Sequence, residues 1–299
     1  MIEVSVIIVN YNTKALTKQC IDSIFDNTKD ISFEVIVVDN DSKDGSIELL
    51  SEDTRIKIIE SRENLGFGKA NNLGVKHSSG KYLFFLNSDT LLLNNAIKML
   101  FDCMERNEKS LKIGALGCLL LDANHNRTHS FANFPDAGQY LIDEWRDHIL
   151  KRLNKRVKRL DENVSIPSET VLFPVDYVTG ADLFVNSSVI DKYGGFDKDF
   201  FMYYEESEMQ HRWHRLGGLQ SFILKGPQIV HLEGKSLNKN FSKYLIQLHS
   251  QMLYFKKTCY LINYFAYRIL FLIGRLLTLP FQNINKEQRK EYLKILLDF

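Results

Sequence analysis

Short apolar runs alternate with longer stretches of helical periodicity over roughly the first 120 residues, and this alternation restricts the possible folds more than any other feature. The apolar runs, which we predict to be strands, are residues 4–9, 34–38, 56–59, 82–86 and 113–121. The periodic stretches, which we predict to be helices, are residues 15–25, 46–51, 69–77 and 95–106. The runs are nearly uninterrupted in Val, Ile, Leu and Phe, as is typical of strands covered on both faces. We therefore predict right-handed crossovers and a Rossmann-like α/β domain, with a mostly parallel sheet flanked by helices.

The composition is that of an ordinary globular protein. The chain has 299 residues, of which 44% are hydrophobic and 25% charged, and this length is enough for one large domain with an appendage or for two modest domains. A formal net charge of +1 gives no global reason to expect a nucleic-acid partner. The four cysteines are far apart and the N-terminus lacks the features of a secretory signal. We therefore predict reduced core cysteines in a cytoplasmic protein.

Two segments depart from the alternating pattern and define the predicted domains. We predict a main domain over 1–239, with a basic helical insertion at 124–174, and a helical extension over 240–299. Residues 145–160 combine helically spaced apolar residues with many Lys and Arg, which indicates a cationic amphipathic helix. Such a helix either lies solvated over an active-site cleft or contacts a membrane surface, and the sequence leaves both open.

The extension contains an apolar stretch, residues 261–279, that is long enough to suggest a membrane span. Arg268 and Arg275 argue against that interpretation, because an arginine near mid-bilayer costs about 2.5–3.5 kcal/mol. We expect helices that pack on the main domain or lie in a membrane interface.

Polar side chains follow four consecutive predicted strands at the point where each strand ends. The four segments are residues 10–12 (NYN), 39–42 (DNDS), 62–68 (RENLGFG) and 87–90 (NSDT). Because ligands bind outside the carboxyl ends of the strands in an open parallel sheet, the four together predict a binding crevice. Any one of them could instead be a turn or a helix cap, and for Asp41 and Ser42 we expect capping.

The residue types at these strand ends limit the ligand. The first turn contains no glycine, residues 66–68 match only part of a dinucleotide-binding G-x-G-x-x-G, and no P-loop pattern occurs in the sequence. What remains is Asp39, suited to ribose or base hydroxyls, and Asp89, suited to a hard divalent cation that would hold a diphosphate.

The order and spacing of these motifs resemble family 2 glycosyltransferases of the GT-A fold, over roughly residues 3–235 and nearest to the rhamnosyltransferase branch. The motifs are VIIVNYN, VIVVDNDS, ENLGFGKANN and FLNSDT. The resemblance implies that the donor is bound by Asn10, Asp39, Asn64, Asn71 and Asn87. The Asn-Ser-Asp segment stands where the family has a metal-binding Asp-x-Asp, so the resemblance implies that Asp89 is the main ligand of Mn²⁺ or Mg²⁺.

Later segments extend the resemblance. Residues 179–181 (TGA) and 194–197 (GGFD) resemble the acceptor side of the family's site. The family's Glu-Asp-x-Asp pattern, whose first Asp is the catalytic base, corresponds to residues 205–208, so the base position is Glu206 and Glu205 is the neighbouring candidate. These acids could also be no more than the first turn of an amphipathic helix, where the helix dipole favours negative charge.

His231 matches a family histidine near the metal and the diphosphate, although a lone His at a strand end is usually structural. The resemblance as a whole implies an inverting, metal-dependent transfer of a sugar, rhamnose by its branch, from a nucleoside-diphosphate donor to an acceptor hydroxyl. The acceptor would be a saccharide or lipid-linked saccharide of bacterial surface polysaccharide biosynthesis, met in the cytoplasm or peripherally at the inner face of the membrane. Two other interpretations stay open: a catalytically silent nucleotide-sugar-binding protein and a membrane-surface module.

Overall fold

The computed structural model describes residues 1–152, 171–232, 241–279 and 284–298. The chain divides into two units, of which unit 1 comprises Met1–Asn133 and Ile166–Asn238 and unit 2 comprises Phe134–Ser165 and Lys239–Phe299. Unit 2 thus draws on both the predicted insertion and the predicted extension, and the domain limits at 124, 174 and 239 stay predictions.

The strands are β1 (Val4–Asn10), β2 (Phe33–Asp39), β3 (Ile56–Glu60), β4 (Tyr82–Asn87), β5 (Thr90–Leu92), β6 (Ile113–Cys118), β7 (Phe131–Ala132), β8 (Leu172–Val175), β9 (Tyr177–Val178), β10 (Asp182–Asn186), β11 (Gln220–Leu224) and β12 (Ile229–His231). The helices are α1 (Lys14–Asn27), α2 (Ser46–Leu50), α3 (Phe67–Val75), α4 (Ala96–Leu111), α5 (Ala137–Arg152), α6 (Ser187–Tyr193), α7 (Glu205–Gly217), α8 (Phe241–Thr258), α9 (Leu261–Thr278) and α10 (Lys286–Asp298).

Unit 1 is built on an eight-stranded sheet of order β3-β2-β1-β4-β10-β6-β11-β8. The strands β1, β2, β3 and β4 pair in parallel. The strand β10 runs against β4 and β6, β11 runs parallel to β6, and β8 runs against β11. The sheet is therefore mostly parallel, and the predicted α/β architecture with flanking helices is confirmed.

The sheet is covered on both faces, as its apolar strands predict. In β1, Val4, Val6 and Ile8 belong to one buried cluster, whereas Ile7 belongs to the other. The helices follow the predicted apolar spacing; α4 buries Ala96, Ile97, Leu100, Cys103 and Met104. Cys20, Cys103 and Cys118 are buried free thiols, as predicted, whereas Cys259 is only half-buried.

Two of the predicted element boundaries differ from those in the structure, and in each case a local contact explains the difference. The helix predicted from residue 69 begins at Phe67, because Gly66 forms its N-terminal cap. The strand predicted over 113–121 ends at Cys118. Leu121 instead forms isolated bridges with Arg127 and Val230 and so leaves the main sheet.

A two-stranded sheet of β5 and β12 lies beside the main one and joins distant parts of the chain. Its antiparallel register places His231 opposite Thr90, directly after the end of β4. The strand β5, which follows β4, thus pairs with a segment from much later in the sequence.

Unit 2 is helical in its described part and is held together largely by aromatic side chains. The ring of Phe255 lies 5.6 Å from that of Tyr140 and 4.6 Å from that of Tyr267. The predicted helical character of the C-terminal region is confirmed for residues 241–279 and 286–298. Within the predicted basic helix, residues 145–152 are helical and residues 153–160 lie outside the described residues. Among the described helices, none is both long enough and apolar enough to span a bilayer.

Candidate active site

The order of strands creates a crevice between the carboxyl ends of β1 and β4. The chain proceeds from β1 outward to β2 and β3, then returns to β4 on the other side of β1. The register sets Asn10 opposite Asp39 and Val9 opposite Asn87. Three of the predicted polar segments therefore meet where the strand order reverses, which is where open α/β sheets bind ligands.

The Asn10 side chain has all of its hydrogen-bonding capacity occupied by the protein. Its amide nitrogen donates to Asp39 Oδ1 at 2.7 Å and to Ser42 Oγ at 2.9 Å. Its amide oxygen accepts from Thr13 Oγ1 at 2.9 Å and from Thr17 Oγ1 at 2.7 Å. An asparagine side chain offers two donors and two acceptor positions, so Asn10 orients Asp39 in this arrangement. Its direct contact with a donor stays a prediction.

The Asp39 carboxylate is 1% exposed and fixed on both oxygens. Besides the Asn10 bond, its Oδ2 accepts from the backbone N–H of Ser42 at 3.0 Å. A carboxylate has about four acceptor positions, so Asp39 can still accept from hydroxyl groups of a ligand.

The capping expected for Asp41 and Ser42 is wrong. The helix α2 begins after Gly45, and Asp44 Oδ1 accepts from the backbone N–H of Ser46 at 3.1 Å. Ser42 Oγ instead accepts from Asn10, as above, and from the backbone N–H of Asn12 at 3.0 Å. The serine is thus bound to the end of β1 and to the turn that follows it, and not to the start of α2.

The segment after β3 is tied to the end of β2 by Asn40. The Asn40 amide donates to Asn64 Oδ1 at 3.0 Å, and its oxygen accepts from the backbone N–H of Leu65 at 2.9 Å. Asn64 Oδ1 also accepts from the backbone N–H of Gly66 at 3.0 Å. Asn71, 1% exposed, donates to the carbonyl of Phe67 at 3.1 Å within α3. Asn64 and Asn71 therefore shape the loop and helix beside the crevice.

Three predicted residues converge at the end of β4. His231 Nε2 lies 3.3 Å from Asp89 Oδ1 and 3.3 Å from Asn87 Nδ2. Asp89 and His231 are largely buried, and the backbone N–H of Leu232 donates to the Asp89 carbonyl at 2.9 Å. The structure thus brings together two side chains, Asp89 and His231, that the sequence separates by more than 140 positions.

These two side chains fit a divalent cation that also takes ligands from a substrate. No group of three His, Cys, Asp or Glu side chains surrounds one point within the described ranges, so the described residues offer Asp89 and His231 as a pair. Mg²⁺ is commonly bound by one or two carboxylates together with substrate phosphates and water. A carboxylate oxygen and an imidazole nitrogen at the switch point suit such a shared site. The later residues of the predicted histidine motif, 233–236, lie outside the described residues.

Asp182 is a site residue that the sequence analysis did not single out. It begins β10 next to β4, is 0% exposed, and its Oδ2 accepts from the backbone N–H of Cys118 at 2.7 Å. Among the described residues, none pairs with its Oδ1. Burial raises the pKa of Asp182 to about 7, partly offset by the Cys118 bond and by nearby His231. Its place in the sequence, between the TGA segment 179–181 and the apolar run 183–185, could have identified it.

The predicted base lies at the start of α7, after a strained turn. Tyr203 and Tyr204 both have left-handed φ angles, of 72° and 68°. Such angles in consecutive non-glycine residues are costly and are concentrated at functional sites. They place Glu205 and Glu206 in the first turn of the helix, as predicted.

The two glutamates differ in environment. Glu205 is 2% exposed, and within the described part of the chain its Oε2 has no hydrogen-bond partner. Burial, and then the charge of Glu206, raise the pKa of Glu205 well above its usual range. Glu206 is half-buried; burial raises its pKa as well, while the backbone N–H groups of Glu206 and Ser207 partly offset the rise. Burial thus raises the pKa of both carboxyl groups, and Glu205 is the more deeply buried of the two.

The rest of α7 is anchored by its own polar side chains. Gln210 accepts from the Val178 N–H at 2.9 Å and donates to the Val178 carbonyl at 2.8 Å. Glu208 pairs with Arg212 at 2.9 Å, and Arg212 donates to the Gly195 carbonyl at 2.7 Å. Glu208 and the 194–197 segment are thus structural supports of the helix.

Direct contacts connect the start of α7 to both halves of the crevice. The backbone N–H of Phe67, the first residue of α3, donates to the Phe201 carbonyl at 2.9 Å. Gly180 faces the ring of Phe67 and the Cβ of Glu206, and its neighbour Ala181 accepts from the Asn87 N–H at 3.0 Å. These contacts connect the start of α7 to α3 on one side and, through Gly180 and Ala181, to the end of β4 on the other.

The sequence is similar to known proteins over this part of the chain. Residues 5–173 match the model of glycosyl transferase family 2. An uncharacterized glycosyltransferase of Rickettsia bellii is 41% identical over 108 residues, which are 35% of this chain and 15% of that protein. Glycosyltransferase GlyG of Streptococcus pneumoniae is 27% identical over 37% of this chain and 38% of its own length. The UDP-Glc:alpha-D-GlcNAc-diphosphoundecaprenol beta-1,3-glucosyltransferase WfgD of Escherichia coli is 31% identical over 37% of this chain and 44% of its own length. The matched segments thus span less than half of each of these relatives.

Proposed function

The chain belongs to glycosyl transferase family 2, and from that premise we propose that it transfers a sugar from a nucleoside-diphosphate donor to an acceptor hydroxyl with inversion at the anomeric carbon. The observation that supports this most is the Asp89–His231 pair at the end of β4, where the strand order reverses; Asp39 ends the nearby strand β2, and the start of α7 is linked to the end of β4 through Gly180 and Ala181. Each of the three parts of the reaction, namely nucleoside, diphosphate and acceptor, then has a chemically suited group beside it.

On this proposal the nucleoside lies at β2 and the diphosphate at β4. Asp39, oriented by Asn10, accepts from the ribose hydroxyls, while Asn87, Asp89 and His231 lie at the diphosphate. A Mn²⁺ or Mg²⁺ ion held by Asp89 and His231 would neutralise the charge of the departing diphosphate.

The reaction is a single displacement. Glu206 accepts the proton of the acceptor hydroxyl as that oxygen attacks the anomeric carbon. The bond from this carbon to the diphosphate oxygen breaks, and the nucleoside diphosphate leaves with the electron pair. Attack opposite the leaving group inverts the configuration and forms no covalent sugar–protein intermediate.

The difference between the two glutamates favours Glu206 as the base. A base must be ionised to accept a proton, and Glu205 is the more buried of the two, with a pKa raised further by the charge of its neighbour. Because the pKa of Glu206 is also raised by burial, kcat/KM should fall as the pH drops through that raised pKa.

The test is a set of three single variants measured for transfer and for donor binding. Glu206→Gln keeps the shape of the side chain but cannot accept the proton, so transfer should fall by about 10²–10⁴-fold while donor affinity changes little. Glu205→Gln should retain most activity, because the Glu205 side chain is buried in the first turn of α7 and amide replaces carboxyl there without a change of shape. Glu208→Gln should act mainly on stability, through the lost charge pair with Arg212.

Near-normal turnover in Glu206→Gln, or a loss of donor binding instead, would show that the base is misplaced. Donor binding by the wild-type protein without any transfer would favour the catalytically silent interpretation over the enzyme.

The sugar and the acceptor are the finer part of the proposal. The resemblance to the rhamnosyltransferase branch favours rhamnose. The name of the Escherichia coli relative specifies UDP-glucose and a diphosphoundecaprenol-linked acceptor for that protein. A thermal-shift screen of nucleotide sugars with the cation decides the donor, because a ligand at 100 times its Kd adds about 2.7 kcal/mol of stability. We further propose a saccharide or lipid-linked saccharide acceptor in bacterial surface polysaccharide synthesis, and work in the cytoplasm at the inner face of the membrane.

A further inference from the structure

The helix α9 of unit 2 exposes a broad apolar face. Six large apolar side chains fall within an arc of about 120° on a helical projection and are 44–82% exposed: Leu261, Ile262, Phe265, Ile269, Ile273 and Leu276. We call these six residues the α9 apolar face. A contiguous apolar surface running the length of an 18-residue helix is unusual on a protein that meets only water.

The opposite side of α9 is fixed within unit 2. Tyr264, Tyr267 and Phe271 are at most 3% exposed. Tyr267 stacks on Phe271 at 5.4 Å and accepts from the amide of Gln251 on α8 at 3.0 Å. Because one side of the helix is anchored and the other is free of polar groups, a flat apolar phase can contact the free side along its length.

The segment that carries α8 and α9 is one-sided in charge, whereas α5 and α10 of the same unit carry both acids and cations. Residues 241–285 contain no Asp or Glu, although the whole chain has 37 of these acids and a net charge of only +1. The same segment contains five cationic residues: Lys243, Lys256, Lys257, Arg268 and Arg275. Arg268 and Arg275 lie seven residues apart and so on the same side of α9, at the border between its exposed and buried faces.

We propose that the α9 apolar face binds an anionic lipid bilayer, with the helix lying in the interface and the cations at the level of the headgroups. An apolar face bordered by Lys and Arg is the pattern of interfacial helices, and each cation near an anionic surface adds attraction. A second copy of the chain fits less well, because a two-fold contact through this face would bring the two cationic borders together. This inference deepens the proposed function by naming the surface that would hold the enzyme beside a lipid-linked acceptor.

The test is co-sedimentation of the full chain with vesicles, in the absence of nucleotide sugar. Vesicles of equal parts phosphatidylglycerol and phosphatidylcholine should bind the wild-type protein at low ionic strength, and added salt should weaken the binding. The triple variant Ile262→Glu, Phe265→Glu, Ile269→Glu should lower the partition coefficient by about tenfold or more. The matched control is Leu93→Glu, Leu111→Glu, Val171→Glu, which makes the same charge change at exposed apolar positions of unit 1 and should bind as the wild type does.

Three outcomes would overturn the proposal. The first is that the wild type does not sediment with anionic vesicles at low salt. The second is that the triple α9 variant sediments as much as the wild type does. The third is that the wild type is a dimer in the absence of vesicles and the triple variant is not. If the triple variant fails to fold, Leu261→Ser with Ile273→Ser replaces it, and it must show reduced binding. Since no donor or acceptor is present, failure here leaves the proposed transfer untouched, and failure of transfer leaves this result untouched.

Discussion

Asp182 is a carboxylic acid at the start of an otherwise apolar strand, and its burial decides how it titrates. Its folded pKa of about 7 lies above the ordinary value of 3.8, so between these values the folded chain keeps a proton that the unfolded chain has released. The free energy of unfolding must then fall as the pH rises through this window, by at most about 1.4 kcal/mol per pH unit.

Asp182→Asn should remove this dependence. The amide oxygen can still accept from the Cys118 N–H, and the side chain no longer ionises. Urea unfolding of both proteins from pH 4 to 7 should give similar stabilities at the acid end and a growing advantage for the variant toward pH 7. A difference that stays constant with pH would contradict the raised pKa.

Single residues also show where sequence-based prediction of the site stops. The positions of Asp39 and Asp89 could be predicted, because each lies at or just beyond the end of an apolar strand and the ends of parallel strands share an edge. Two other features could not be predicted. Asn10 makes all of its side-chain hydrogen bonds within the protein, and Asp182 pairs with the backbone of Cys118. Both depend on contacts across strands, which the local sequence does not specify.

Among the elements, the junction of α3 with the loop before α7 depends on Gly66. This residue has a φ of +79°, and a Cβ built on it would lie 2.1 Å from the Phe201 carbonyl oxygen. Any side chain at this position would therefore separate the first turn of α3 from the segment that leads to Glu206.

Gly66→Ala should destabilise the protein and strongly reduce transfer, and Gly218→Ala is the matched control. Gly218 has a φ of +62° with nothing within 4 Å of the built Cβ, so its replacement should cost only the left-handed strain, about 1–2 kcal/mol. Chemical unfolding should show a larger loss for Gly66→Ala, because the clash adds to the same strain. Equal losses of unfolding free energy in the two variants would mean that the close approach of residue 66 to Phe201 does not contribute to stability.

At the level of elements the sequence predicted the first half of unit 1 well. The first four strands and their helices are local, and their apolar periodicity marks them. The insertion of β10 between β4 and β6, and the pairing of β12 with β5, were not predicted. They join segments more than 60 positions apart, and no local pattern encodes such pairings.

On the scale of the whole molecule, an almost neutral chain separates two kinds of surface. Unit 1 collects carboxylates around one crevice, whereas the segment 241–285 of unit 2 has cations and no acids. The net charge of the whole chain does not reveal this difference between the two segments. Donor binding is thus proposed for unit 1 and contact with lipid for unit 2.

The central claim is that the crevice at β1, β2 and β4 binds a nucleoside diphosphate together with a divalent cation. Calorimetric titration with UDP-glucose and with a nucleoside-diphosphate rhamnose, with Mn²⁺ and then with a chelator, tests it in three proteins: the wild type, Asp89→Ala and the surface control Asp102→Ala. Asp102 pairs only with Lys98 on α4 in the described contacts, so its replacement should leave binding unchanged. We predict that the wild type binds at least one donor in the presence of Mn²⁺, and that chelation or Asp89→Ala weakens this binding by about 100-fold. Binding by Asp89→Ala as tight as that of the wild type, with the cation present, would contradict the claim.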